Sequence, residues 1–167
     1  MIKLRDCIGL PILERESGSQ IGELAEVALH FEQATIAGIL VTKCAGSDAQ
    51  GLAFEDLLSI GRDAVMVRDG VELKPVAVLW PASQVYYFGD LRDKQVYTEC
   101  GLYLGTLVDI ACDERTGEIK FYEISDGIIS DLLYGRRTMP LPRVQVISEE
   151  RLIVPEGMAD LVTNGII

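Results

Sequence analysis

Asp109 and Asp113, with Glu114 beside the second, are the carboxylates in this chain whose spacing could divide general acid and base work. Such a pair needs a cleft that pushes its two pKa values apart. Residues 109 and 113 flank an expected hairpin turn, where aspartate ordinarily serves the turn or the solvent. His30 is the only histidine. A Cys–His nucleophile would need it beside Cys7, Cys44, Cys100 or Cys112, and no local signature places it there. The cysteines form no C-x-x-C pair, which argues against a disulfide framework or zinc site and for small buried side chains. A redox or hydrolytic reading would have to use Cys44 or Cys112. The chain has no G-x-G-x-x-G, no Lys-bearing phosphate loop and no G-x-S-x-G. The expectation is a protein with no catalytic set, no metal site and no cofactor.

Recognition surfaces are the remaining candidates. Trp80, Tyr86, Tyr87 and Phe88 put four aromatics in nine residues, and aromatics are enriched at interface hot spots. The competing use is to close a core between domains. A second candidate is the segment Ser125–Pro140, in which Ile128, Ile129, Leu132, Leu133 and Tyr134 are many apolar groups for a free loop. It either folds as a short amphipathic helix on the barrel or docks a partner or a second copy of the chain. Arg136 and Arg137, with Arg143, form the one basic cluster, and Asp131 lies within reach of it. Solvated surface is its ordinary meaning.

Charge narrows the partners. The chain carries 15 basic and 26 acidic residues, a net −11, shared as −5 over residues 1–83 and −6 over 84–167. Nucleic-acid affinity comes largely from Lys and Arg neutralising phosphates, so nucleic acid is a poor partner. An anionic membrane surface offers an acidic protein nothing. Met1 to Cys7 carries charges where a signal peptide would need its apolar stretch. No apolar run approaches the roughly 18 residues that span a bilayer. A cytoplasmic protein is expected.

The elements that position these groups come twice. Leu4-Arg5-Asp6, Gly18, Ile21-Gly22, Val27, Ile36, Val41, Leu57, Ile60 and Val65-Met66-Val67 are answered by Leu91-Arg92-Asp93, Gly101, Leu104-Gly105, Ile110, Ile119, Ile124, Val144, Ile147 and Leu152-Ile153-Val154. The offset is 87 at the start, 83 through the middle and 87 at the end. One four-residue deletion and one four-residue insertion, both in loops, account for the drift. Short strands with glycine at most corners argue for small barrels. Asp113–Gly117 reads as a hairpin turn with Gly117 at positive φ, and Phe54–Gly61 as a helical turn leading into a strand. Two domains are expected, 1–83 and 84–167, with 71–88 as a packed connector rather than a flexible linker.

With these landmarks the chain resembles the PRC-barrel superfamily. That group includes the cytoplasmic domain of the photosynthetic reaction-centre H subunit and the C-terminal domain of a ribosome-maturation factor. The resemblance is carried by Leu4-Arg5-Asp6, Gly18 to Gly22 and Phe54–Val67 in the first copy. In the second it is carried by Leu91-Arg92-Asp93, Gly101 to Gly105, Asp109 and Thr116-Gly117-Glu118-Ile119. It implies an all-β fold with minor helix, two small PRC-type β-barrels in tandem. It also implies a non-enzymatic adaptor or scaffold that binds another protein, with an RNA-linked accessory role in ribosome maturation as the alternative. Fold alone does not fix that function.

Overall fold

A computed structural model describes residues 1–42, 49–81 and 85–164. They form two compact units, residues 1–90 with 112–119 and residues 91–111 with 120–167. The first unit runs β1 (Ile2–Lys3), α1 (Leu4–Cys7), β2 (Pro11–Glu14), β3 (Gln20–His30), β4 (Thr35–Thr42) and β5 (Gln50–Ala53). A 3-10 turn (Phe54–Asp56) then leads to β6 (Leu57–Ile60), β7 (Val65–Val67), β8 (Lys74–Pro75), α2 (Val76–Leu79), β9 (Tyr86–Tyr87) and α3 (Phe88–Leu91). The second unit has β10 (Gln95–Thr98), β11 (Tyr103–Cys112), β12 (Ile119–Ser125), α4 (Ile128–Tyr134) and β13 (Arg137–Pro140). It continues with β14 (Val146–Ile147), β15 (Arg151–Val154), a 3-10 segment (Glu156–Leu161) and β16 (Thr163–Asn164).

Strands dominate, and the two sheets share one topology. The order is β6-β7-β2-β3-β4-β5-β8 in the first and β14-β15-β10-β11-β12-β13-β16 in the second. In each, one pair is parallel, β2 with β7 and β10 with β15, so a late strand returns beside the opening one. The alternating apolar residues face inward: Ile12, Leu24, Val27, Ile39, Leu52, Val65 and Val67 are buried, as are Val96, Leu107, Ile110, Tyr122, Ile124, Met139, Leu152 and Val154. Each such aliphatic side chain contributes about 1.5–3 kcal/mol on burial.

The register corrects the opening of the repeat. Gly9 N donates to Leu24 O at 2.8 Å, and Asp93 N to Leu107 O at 2.8 Å; Leu10 N donates to Cys7 O and Lys94 N to Leu91 O. Gly9 and Asp93 are both at positive φ, +88° and +74°. Leu91 is therefore the counterpart of Cys7, not of Leu4, and the two Leu-Arg-Asp strings are out of step by three. The loss in the β2–β3 turn is one residue rather than four. The four-residue insertion stands: it falls in the segment between β12 and β13, where α4 lies.

Turn chemistry meets expectation at the hairpin tip. Asp113 Oδ1 accepts from the N–H groups of Arg115 (2.8 Å) and Thr116 (3.0 Å), and Gly117 has φ +74°. Within the first unit this tip meets the β3–β4 tip: Ile36 N donates to Gly117 O (2.8 Å) and Ile119 N to Ala34 O (2.7 Å).

β8 pairs with β5, and β9 pairs with β3, both inside the first unit. Trp80, 8% exposed, clusters with Ala28 and Ala37, and Leu40, Val76, Leu79, Val85 and Tyr87 pack around it. The indole lies over Gly38, where an added Cβ would come within 2.7 Å of Trp80 Cζ2 and would also strike Leu52 O. Gly38 thus makes the seat for Trp80.

Gly105 limits a second close approach. At φ +133° it sits so near β12 that a Cβ would strike Ile124 Cγ2 and lie 2.7 Å from Ser125 O. Gly105→Ala is expected to cost about 2–4 kcal/mol, whereas Gly101→Ala, with open space around its Cβ, should cost about 1 kcal/mol from its φ alone. Urea denaturation of the two variants checks the difference. Gly38→Val is expected to cost about 1–3 kcal/mol by overpacking and to red-shift the emission of the single tryptophan as the indole is displaced.

Candidate functional site

β12 ends at Ser125, Asp126-Gly127 turns the chain, and the seven residues Ile-Ile-Ser-Asp-Leu-Leu-Tyr make α4. A helix this short does not hold itself in water, where about 12–15 residues are marginal. Polar groups hold it instead. Ser125 Oγ donates to Asp131 Oδ2 at 2.6 Å, and Gly127 N donates to Ser125 Oγ at 3.3 Å. Arg136 Nε lies 3.9 Å from Asp131 Oδ2, and its Nη1 lies 3.4 Å from Oε2 of Glu123, a carboxylate only 5% exposed on β12. Arg137 donates to Leu104 O and pairs with Asp126 at 3.3 Å. The sequence-predicted arginines are thus brought together with three carboxylates as the base of α4.

The result is a helix turned inside out. Asp131 points inward, while Ile128 (88%), Ile129 (76%), Leu132 (84%), Leu133 (65%) and Tyr134 (65%) are exposed. An amphipathic helix lying on the barrel would have reversed this. Leu102 and Tyr103, just before the Leu104 carbonyl that takes Arg137, are exposed as well, and the Tyr103 ring tilts against Tyr97 at 5.2 Å. This is the largest set of exposed apolar side chains in the described residues.

The aromatic group is divided rather than assembled. Trp80 and Phe88 are buried, and Tyr87 is half-buried, its phenol pushed up by that burial and by Asp90 and Glu26. Tyr86 is the exposed member and packs on Phe31 at 5.4 Å. In the same unit an open groove of about 580 Å³ runs past Trp80, Phe54, His30, Asp56 and Lys74.

Asp109 departs from expectation. It is fully buried within β11, and its Oδ1 accepts the N–H of Ile110 at 2.9 Å, so it is no turn residue. Its counterpart Glu26 on β3 likewise accepts the next N–H, from Val27 at 3.0 Å, and also that of Gly89. The recurrence of an acid at this position in both copies was the available signal. Among the thiols, Cys7 and Cys112 are buried and Cys100 is exposed, its thiol pushed up by hydrogen bonding to and repulsion from Glu156. Cys44 lies outside the described residues. Among the described residues no helix is long and apolar enough to cross a membrane.

No curated protein matches this sequence. Residues 83–162, which hold β10 to β15 and the whole of α4, match the family model of the PRC-barrel domain. The all-β sheets, the recurring strand order and this match agree: residues 83–162 of the chain form a PRC-barrel domain.

Proposed function

We propose that this protein is a non-enzymatic cytoplasmic adaptor that binds a protein partner, and that the docking face is the outward side of α4 with Leu102 and Tyr103. The observation that carries the reading is the polar-in, apolar-out arrangement of α4. Leaving Ile, Leu and Tyr in water forgoes about 1.5–3 kcal/mol per side chain relative to burial, so a partner that covers them recovers that energy. The small β-barrel family supports the same use. The groups that could have served catalysis are otherwise engaged: Asp113 in its turn, Asp109 against its own strand, Cys7 and Cys112 in the interior. The RNA-linked alternative loses two of its three clustered cations, since Arg136 and Arg137 are spent on Glu123, Asp131 and Asp126.

The test is a pull-down of the tagged full chain from its native cytosol, with and without ribonuclease, beside a Leu132→Asp/Leu133→Asp variant. The expected result is one stoichiometric protein that survives ribonuclease and is bound at least tenfold more weakly by the variant, as when central apolar anchors are removed. Ribosomal proteins released by ribonuclease, or substrate turnover abolished by changing one polar residue, would overturn the reading.

A further inference from the structure

We infer that the occupant of the α4 face is a second copy of this chain, the two helices meeting about a two-fold axis. This rests on the reading of α4 as a docking face and names what covers it. Two features favour self-pairing, the first being area. At 65–88% exposure, five side chains of this size present on the order of 700 Å², close to the roughly 800 Å² per partner that a stable interface buries.

Charge is the second. A two-fold interface sets one patch against itself, so any charge pointing outward near the axis would meet its like. The one acidic residue of α4, Asp131, is turned inward to Ser125 and Arg136. The outward face is therefore free of charge in a molecule of net −11. A basic protein would find no carboxylate on this face to pair with. An anionic bilayer would meet an acidic protein around it. A second copy needs no complementary charge, because apolar face meets apolar face. Screening should help the pairing, since the remaining acidic surfaces repel across the axis.

Sedimentation equilibrium of the full chain across about 1–100 µM tests this directly. The mass is expected to rise from 18.3 kDa toward twice that value, at lower concentration in higher salt. Leu132→Asp/Leu133→Asp should remain at 18.3 kDa and match the thermal midpoint of wild type diluted until it is monomeric, because both side chains are exposed and pairing itself raises the midpoint. Leu132→Cys in a Cys100→Ser background should form a disulfide-linked dimer under mild oxidation. A wild type that is monomeric throughout the range overturns the inference, as does a dimer that the double variant retains. A monomer that co-sediments with phosphatidylcholine vesicles through the same two leucines overturns it in favour of a lipid occupant. If the chain is monomeric but the double variant still loses a captured protein, the adaptor reading stands and only the occupant changes.

Discussion

The approach of β3 to β4, and of β11 to β12, constrains everything else in these units. At Gly105 the gap is too small for a methyl group, with Ser125 O and Ile124 on the far side; at Gly22 it is Thr42 O and Val41. The same glycines stand opposite Val96 and Ile12, beside the bulges in β10–β11 and β2–β3. Bulges raise the local twist, and the twist lets β7 and β15 return parallel to β2 and β10. Ser125, pinned by this contact, is also the residue whose hydroxyl holds Asp131. Where α4 leaves the sheet is thus set by a backbone approach within the sheet.

The two copies treat the outer side of that sheet differently. In the first, Leu40 belongs to the apolar surroundings of Trp80, with α2 and Ala37 completing the cover. In the second, the position of Leu40 is taken by Glu123, as the pairings of β4 with β5 and β12 with β13 align them. A carboxylate 5% exposed needs a cation, because an uncompensated buried charge is strongly destabilising. Arg136 supplies one from the far end of α4. Phe121 stands where Gly38 does, so the second copy carries a side chain where the first leaves room for Trp80. One topology therefore supports an apolar cover in one copy and a polar anchorage in the other.

Much of this was legible in the sequence, and the failures have physical causes. Strand positions, the Asp113–Gly117 turn and the four-residue insertion follow from glycines and alternation, which are local signals. The Leu-Arg-Asp match misleads because identical letters recur three residues out of register, and only the hydrogen bonds of Gly9 and Asp93 reveal the slip. Asp109 reads as a turn residue because aspartate flanking a hairpin ordinarily serves the turn, whereas here it is buried within β11 and accepts the N–H of Ile110. The apolar content of 128–134 is plain, but its direction is not: the side of α4 that faces inward is decided by Ser125, Arg136 and Glu123, which are distant from one another in sequence. Trp80 is buried for a comparable reason, since its seat is a missing side chain at Gly38.

The outward face of α4 and the acidic remainder of the surface belong to one design. An exposed cluster of Ile, Leu and Tyr invites indiscriminate association, and a net charge far from zero opposes it by keeping molecules apart. Repulsion acts over about 10 Å at 0.1 M salt, so it discourages chance encounters of acidic surfaces. A contact that places only the uncharged face in the interface keeps the acids at its margin. Turning Asp131 inward, at the cost of fixing Ser125 and Arg136 around it, removes the one charge of α4 that would have opposed such a contact. The polar base of the helix and its apolar exterior are therefore two consequences of the same hydrogen bonds.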